Sequence, residues 1–538
     1  MANWYDAGGR LDWIKRQLKQ IAPDLIGLSI LNANRWGGIE IARAAKEIFP
    51  DIPVIFGGPG ATFLWRHLLQ HFSCIDFIIL GEGEESFIEL VQALESERDP
   101  SALPGLALRK QGQAVKTRDR GFIEDLDSLS DPAQFFTFQH VISSRGCPWN
   151  CTFCGSPSIW KRRVRFHSPD YFVSQLKRLK KKGANFFFVS DDTFTLKKDR
   201  VIEICQEIIA QKLDITWQAI SRVNHVDQEV LTWMRRAGCT QISYGIESGS
   251  AKIRKRLNKD LPAAKIRQAF RETASAGMLP RAYFIYGSPG ETDKTVGQTI
   301  ALMDEIGPLA AIFYIMDIFP GTALYEDFKK RTRATDDIWL KRIEDIMYFE
   351  TDPRMSREKI LEWGRRLRGH FYRRLPDYVR GIRLMEDESM RHLHADFLSR
   401  LAMTFAFGEY AAQDEIPGRI ELAMELFQKS LEYAPDHRAF LGLAIMEQKQ
   451  GRHRRALEVT AEGLDHFPDS EELSTCMAVS LMNLGNFKKA LEILLRFDNS
   501  VRCLQYALQC AQALKDMALY QDIAGRLEAL AEKDRTDT

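Results

Sequence analysis

Apolar residues recur along this chain at two spacings, and the switches between them divide it. Over 11–21 they fall at Leu11, Ile14, Leu18 and Ile21, the step of one helix face. The stretch 24–31 is instead a continuous apolar run, the mark of a strand covered on both faces. The alternation repeats with a helix over 38–49, a strand over 53–58, a helix over 63–72, a strand over 76–81 and a last helix after Glu85. Successive strand–helix units predict a doubly wound parallel sheet for residues 1–100. Residues 101–140 mix turns with short apolar runs and read as a connector.

From 141 the alternation resumes. Strands are expected at 141–146, 185–191, 215–221, 241–247, 282–287 and 311–318, with helices at 171–182, 201–211, 228–237, 263–276 and 295–306. Six such repeats predict a (β/α)6 partial barrel over 141–335, whose chemistry belongs on the loops after the strands. Beyond it strand signals stop. Residues 336–400 read as a helical extension rich in Arg, Leu and Trp. Within 401–538, Ala423, Leu431, Pro435 and Asp436 align with Ala456, Leu464, Pro468 and Asp469, and Ala490 opens a third copy. The period is about 34 residues, the tetratricopeptide length. Such helical repeats either present a concave face to a protein or peptide, or cap the barrel.

Composition narrows the setting. The 538 residues are 45% hydrophobic and 27% charged, with net charge +1, so no global field draws the chain to nucleic acid or an acidic membrane. The basic runs Lys161–Arg163 and Arg373–Arg374 read as solvated surface. No apolar run is long enough to span a membrane, and the first six residues do not resemble a signal peptide. Nine cysteines, an odd number with six scattered, suit a reducing cytoplasm.

The other three stand together. Cys147, Cys151 and Cys154 directly follow the first barrel strand. Three thiolates so close can wrap one inorganic cluster and leave one of four irons open. Competing readings are three inert buried thiols, or a zinc site whose nearest further ligand, His167, stands at a spacing unlike a zinc finger's. The Cys-x3-Cys-x2-Cys spacing resembles that of the radical S-adenosylmethionine (radical SAM) superfamily. That resemblance implies a 4Fe–4S cluster on these cysteines that splits S-adenosylmethionine reductively to a 5′-deoxyadenosyl radical. It also implies a cofactor site built from Phe153, from Ser190, Asp191 and Asp192 after the second strand, from Glu247 and Ser248 after the fourth, and from Gly287 after the fifth. An ammonium needs carboxylate or carbonyl acceptors. One aspartate of the pair is expected to cap the next helix, and Glu291 to start another. The segment Phe319–Thr322 resembles the same branch.

The N-terminal segments resemble the cobalamin-binding domain that precedes many such barrels. Ser29, Gly57, Gly58, Gly81, Glu82 and Gly83 stand at strand ends, where ligands of parallel sheets bind; tight turns alone are the other reading. The family domain begins with a strand, a helix and a strand ahead of the segment seen here at 11–31, and no Asp-x-His-x-x-Gly segment occurs. A late start or a differently packed remnant is expected, with an exposed sheet edge. The resemblance implies a cobalamin-dependent methyltransferase acting on an unactivated carbon or phosphorus. The alternatives are a cobalamin-independent cyclase or rearrangement enzyme, and a non-catalytic scaffold that recruits partners through its repeats. A second cluster for methylthiolation finds no ligand grouping among Cys74, Cys205, Cys239, Cys476, Cys503 and Cys510. Expected partners are a small-molecule, peptide or carrier-bound substrate, an electron donor such as flavodoxin or ferredoxin, and a protein at the repeats.

Overall fold

In the computed structural model, which describes residues 7–536, helix α1 (Ala7–Ile21) leads into β1 (Ile26–Ser29), α2 (Arg35–Ile48), β2 (Val54–Gly57), α3 (Pro59–His71), β3 (Phe77–Ile79) and α4 (Glu84–Glu95). The six residues on which the signal-peptide reading rests lie outside the described ones. The three strands pair in parallel and in chain order, as their apolar runs predict. The stretch expected to be only a connector instead holds a hairpin, β4 (Leu106–Lys110) and β5 (Gln113–Lys116), that extends the sheet antiparallel from β3. The sheet is therefore mixed and five-stranded. Arg109 anchors the hairpin beneath α3 by donating to the carbonyls of Leu69 (2.9 Å) and Ser73 (2.8 Å), where a helix C-terminus favours positive charge. Among the described residues β1 is the sheet's outer strand, paired with β2 alone.

The central unit begins with β6 (His140–Val141), β7 (Ser144–Arg145), α5 (Ser156–Trp160), β8 (Arg165–Phe166), α6 (Pro169–Lys181) and β9 (Phe186–Val189). It continues through α7 (Lys198–Ala210), β10 (Thr216–Ser221), α8 (Gln228–Arg236), β11 (Cys239–Glu247), α9 (Ala251–Arg256), α10 (Ala263–Ser275), β12 (Leu279–Tyr286), α11 (Asp293–Ile306) and β13 (Ala310–Ile315). Six parallel strands run in the order β6-β9-β10-β11-β12-β13, an open partial barrel. Side-chain caps start the helices: Ser168 accepts from the Tyr171 amide, Asp227 from Val230 and Thr292 from Thr295. Two expected strands are each split. Residues 141–146 divide into β6, inside the barrel, and β7, which leaves it to pair with β8. Residues 311–318 divide into β13 and β14 (Asp317–Ile318), which turns away to pair with β15 (Ile346–Met347).

After the barrel, α12 (Ala323–Thr332) precedes β15, and α13 (Arg357–Arg380) and α14 (Arg391–Ala406) follow it. Then come α15 (Arg419–Tyr433), α16 (His437–Lys449), α17 (His453–His466), α18 (Glu471–Asn483), α19 (Phe487–Leu494), α20 (Val501–Ala513) and α21 (Met517–Thr536). The starts at Arg419, His453 and Phe487 recur every 34 residues. Small residues allow the helices to close: a Cβ on Gly442 would run into the Phe427 ring. One apolar core runs from Val141 through the barrel to Phe440, Leu473 and Cys476, whereas α19–α21 close a separate one around Leu494, Leu504 and Ala507. Among the described residues no helix is long and apolar enough to cross a membrane.

Candidate cofactor site

The cysteine loop leaves β7 at Gly146, held at φ +102°, where a Cβ would run into the carbonyl of Arg163. Distant elements then pin it. The Thr152 amide donates to Leu257 O (3.0 Å), Leu324 donates to Thr152 O (3.0 Å), and Asn258 Nδ2 to Asn150 O (2.6 Å). Cys151 is buried, and Cys147 and Cys154 are half-buried. Burial pushes the Cys147 thiol up, and pushes Cys154 up to about 11 with help from Asp192 and the other two cysteines. Thiols so placed become ligands only where a metal displaces their protons. The structure offers compensation for the resulting negative charge. Arg222, immediately after β10, donates from Nη1 to Cys151 Sγ at 3.6 Å and lies 4.3 Å above the Trp149 ring. Its Nε and Nη2, with Trp149 Nε1 and Thr152 Oγ1, are buried without hydrogen-bond partners among the described residues. Buried donors are nearly always satisfied, so this orphaned set around three thiols fits an anionic iron–sulfur cluster with several sulfur acceptors.

The remaining strand ends sort into two kinds. Asp191 does not face open space: buried, it accepts from the Ser143 amide and from the hydroxyls of Ser143 and Ser144, each at 2.6 Å. It clamps the end of β9 to the turn between β6 and β7. Glu247, at φ +62° beside a break in the β11–β12 register, is buried and paired with Lys259 Nζ at 2.7 Å. Ser248 is fully buried, its hydroxyl 3.2 Å from that of Thr299. Glu291 does not begin a helix. It accepts from the Ser288 amide at 3.0 Å and closes the turn before the cap Thr292, and burial pushes its pKa up to about 7. His167 bonds Asp127 at 2.9 Å and stacks on Tyr171, so it is engaged away from the cysteines. Phe153 packs against the core that includes the N-terminal sheet, and Gly287, at φ +75°, meets Ile360 and Ile315.

Ser190 and Asp192 do reach open space. With Ile142, Ser144, Arg145, Gly146 and Trp160 they form one wall of a cavity of about 690 Å³. Its other wall is the C-terminal edge of the N-terminal sheet, and it contains all six residues expected there: Ser29, Gly57, Gly58, Gly81, Glu82 and Gly83. A Cβ on Gly57 or Gly81 would meet nothing within 4 Å, so these glycines leave bare backbone for a large flat ligand. Glu82 is the exception in kind. It is buried and bonded to Arg145 and Arg165, each at 2.7 Å, and to the Ile123 amide, so it ties the sheet to β7 and β8 instead of facing a guest. A second cavity, about 420 Å³, lies between Cys154, Ser156, Asp192, Asp317, Phe319, Phe63 and Asn32. Arg222 and Trp160 were not legible as site residues. Arg222 occupied the strand-end position that the barrel rule singles out, after the one interior strand with no motif; Trp160 gave no signal.

Comparison with known proteins bears on this arrangement. The Radical SAM superfamily model matches residues 141–303, and the B12 binding domain model matches residues 6–91. The chain is 33% identical over 325 residues to an uncharacterised methyltransferase of Pyrococcus horikoshii, covering 58% of this chain and 71% of that one. It is 28% identical over 343 residues to the anaerobic magnesium-protoporphyrin IX monomethyl ester cyclase of Cereibacter sphaeroides, covering 60% of this chain and 56% of the cyclase. Among solved structures, the radical S-adenosylmethionine methyltransferase TsrM of Kitasatospora setae, with cobalamin and a [4Fe-4S] cluster bound, superposes with TM-score 0.58. That match covers 79% of this chain and 92% of TsrM at 14% identity, a likeness of fold.

Proposed function

Because the chain belongs to the radical SAM superfamily and carries a B12-binding domain ahead of the barrel, with a 4Fe–4S cluster, S-adenosylmethionine and cobalamin as its cofactors, we propose that it transfers a methyl group to an unactivated carbon or phosphorus. In this reading Cys147, Cys151 and Cys154 hold the cluster, Ser29, Gly57, Gly58, Gly81 and Gly83 floor the corrinoid, and Ser190 and Asp192 meet the S-adenosylmethionine end of the site. When bound, the cluster supplies the electron for reductive cleavage and the corrinoid a transferable methyl group. The protein's part is placement. Arg222 neutralises charge at Cys151, the Asp191 clamp fixes the β9 end beside the cysteine loop, and Leu28, Ile55, Ile79, Phe87 and Ile142 give the larger cavity dry walls. Asp192 accepts from Ser156 at 2.7 Å and keeps acceptor capacity on both oxygens for further donors, such as an ammonium.

The observation that carries the proposal is the larger cavity, shared between the glycine edge of one sheet and the strand ends of the other. A substrate of small-molecule size suits the second cavity. Flavodoxin or ferredoxin would serve as electron donor, and six thiols left free beside the three cluster ligands suit a reducing cytoplasm. The similarity to a cyclase favours ring closure by the same radical chemistry, without cobalamin, as a second reading. The deciding experiment is anaerobic reconstitution with iron, sulfide, corrinoid and S-adenosylmethionine. We expect 5′-deoxyadenosine from the native chain, none from Cys151→Ala, and retention of corrinoid through gel filtration. An iron-loaded chain that holds no corrinoid would sink methyl transfer, and one that yields no 5′-deoxyadenosine with any candidate substrate would sink both readings.

A further inference from the structure

The far end of α3 carries His67 and His71, four residues apart and so on one face of the helix. The short helix Asp336–Leu340, between α12 and β15, brings Asp337 against them. Asp337 Oδ1 lies 3.2 Å from His71 Nε2 and 3.7 Å from His67 Nδ1, and one donor atom from each of the three residues falls within 4.8 Å of the others. The two rings stand 4.8 Å apart and tilted by 47°, so they do not stack. His67 is 3% exposed, yet among the described residues neither of its ring nitrogens has a hydrogen-bond partner. A buried imidazole without partners is unusual. The nearby charges are already committed. Arg35 bonds Asn32 and the Ile343 carbonyl and lies over Trp339, while Asp336 is held by Tyr325 and Lys329.

The two separations to Asp337 are close to what one ion imposes, and small side-chain rotations would bring the two imidazoles to the same spacing. Ligand bonds of about 2.0–2.2 Å in a tetrahedral shell put neighbouring donor atoms roughly 3.3–3.6 Å apart. Two imidazoles and a carboxylate suit zinc, cobalt or nickel, whereas magnesium and calcium prefer oxygen alone. Solvent reaches the site, because Asp337 and His71 are partly exposed while His67 backs it from inside. We propose that His67, His71 and Asp337 bind a divalent transition-metal ion of the zinc class, completed by water, which staples α3 to the segment that follows the barrel. The staple is set away from the chemistry but along its support: the opposite end of α3, Pro59, Gly60 and Phe63, lines the smaller cavity. The ion would hold that wall in place without touching a substrate.

The test uses the full chain with its iron–sulfur cluster assembled, so that cysteine thiols do not compete, titrated with Co²⁺ and then Zn²⁺. A parallel titration uses Cys147→Ser/Cys151→Ser/Cys154→Ser, which needs no cluster. Both chains should bind one ion with a rise in thermal midpoint on zinc addition, and the triple-serine chain, free of iron–sulfur absorption, should show cobalt d–d bands without a cobalt–thiolate charge-transfer band. His71→Ala and Asp337→Ala, at partly exposed positions, should each weaken cobalt binding by about tenfold or more, and the double variant should lose the thermal response. Equal cobalt affinity in the native chain and the double variant, or a cobalt–thiolate band in the triple-serine chain, would overturn the site.

Discussion

Arg222 and Glu291 show how single side chains are set by what surrounds them. The Arg222 guanidinium donates to Cys151 Sγ and is braced by the Trp149 ring. A hydrogen bond to a charged group contributes about 1.5–3 kcal/mol. Arg222→Leu should therefore shed iron to a chelator roughly tenfold to a hundredfold faster than the native chain, with Arg222→Lys between them, followed as iron and sulfide per chain over time. Unchanged release would mean the arginine is a packing residue. Glu291 titrates high because it is buried, at about 7 against an ordinary 4.5. A carboxyl with a raised folded-state pKa binds more protons folded than unfolded, so its contribution is intact below about 4.5 and is lost as pH rises through about 7. The loss amounts to about 3 kcal/mol. Glu291→Gln should flatten the fall in thermal midpoint between pH 5 and 8, by differential scanning calorimetry; a parallel fall in both chains would place the charge cost elsewhere.

At the level of elements, the cysteine loop depends on the short ribbon of β7 and β8 behind it. Gly146→Ala forces a side chain into Arg163 and gives up a backbone conformation only glycine adopts freely. The variant should fold with a midpoint lowered by a few degrees but assemble well under half the native iron, measured after reconstitution. Much of this architecture was legible in the sequence because it rests on apolar runs. The three parallel N-terminal strands, β9 and β13 are largely apolar runs, and four of the six expected barrel strands were found within a few residues, while 141–146 and 311–318 each divide between two strands. The hairpin β4–β5 was not, because an edge ribbon ending in Lys110 and Lys116 has neither a continuous run nor clean alternation, and it is fixed by Arg109 reaching a distant helix. The candidate site divides the same way. Cys147, Cys151, Cys154 and the glycines announced themselves by spacing. Whether an acid faces a cavity is decided by partners far along the chain, so Asp191 and Asp192, adjacent in sequence, point to opposite fates.

Across the whole molecule, the continuity of the core sets what can be removed. The barrel's apolar cluster extends through α15–α18, while α19–α21 close a second cluster together with Ala478, Leu481 and Met482 on the far side of α18. A chain ending after Asn483 should stay soluble and keep its cleavage of S-adenosylmethionine within about twofold, with a midpoint lower by only a few degrees. One ending before Arg419 should aggregate, because Leu401, Phe405 and their neighbours lose their cover; size-exclusion chromatography and calorimetry distinguish the two. A different kind of continuity joins the two cavities. Trp160 and Asp192 belong to the walls of both. A guest that turns the indole, or draws the carboxylate's charge, in one chamber alters the free energy of filling the other, and the influence runs equally in both directions. Sharing these two side chains would make the two occupancies heterotropic, so that filling one chamber would change the free energy of filling the other.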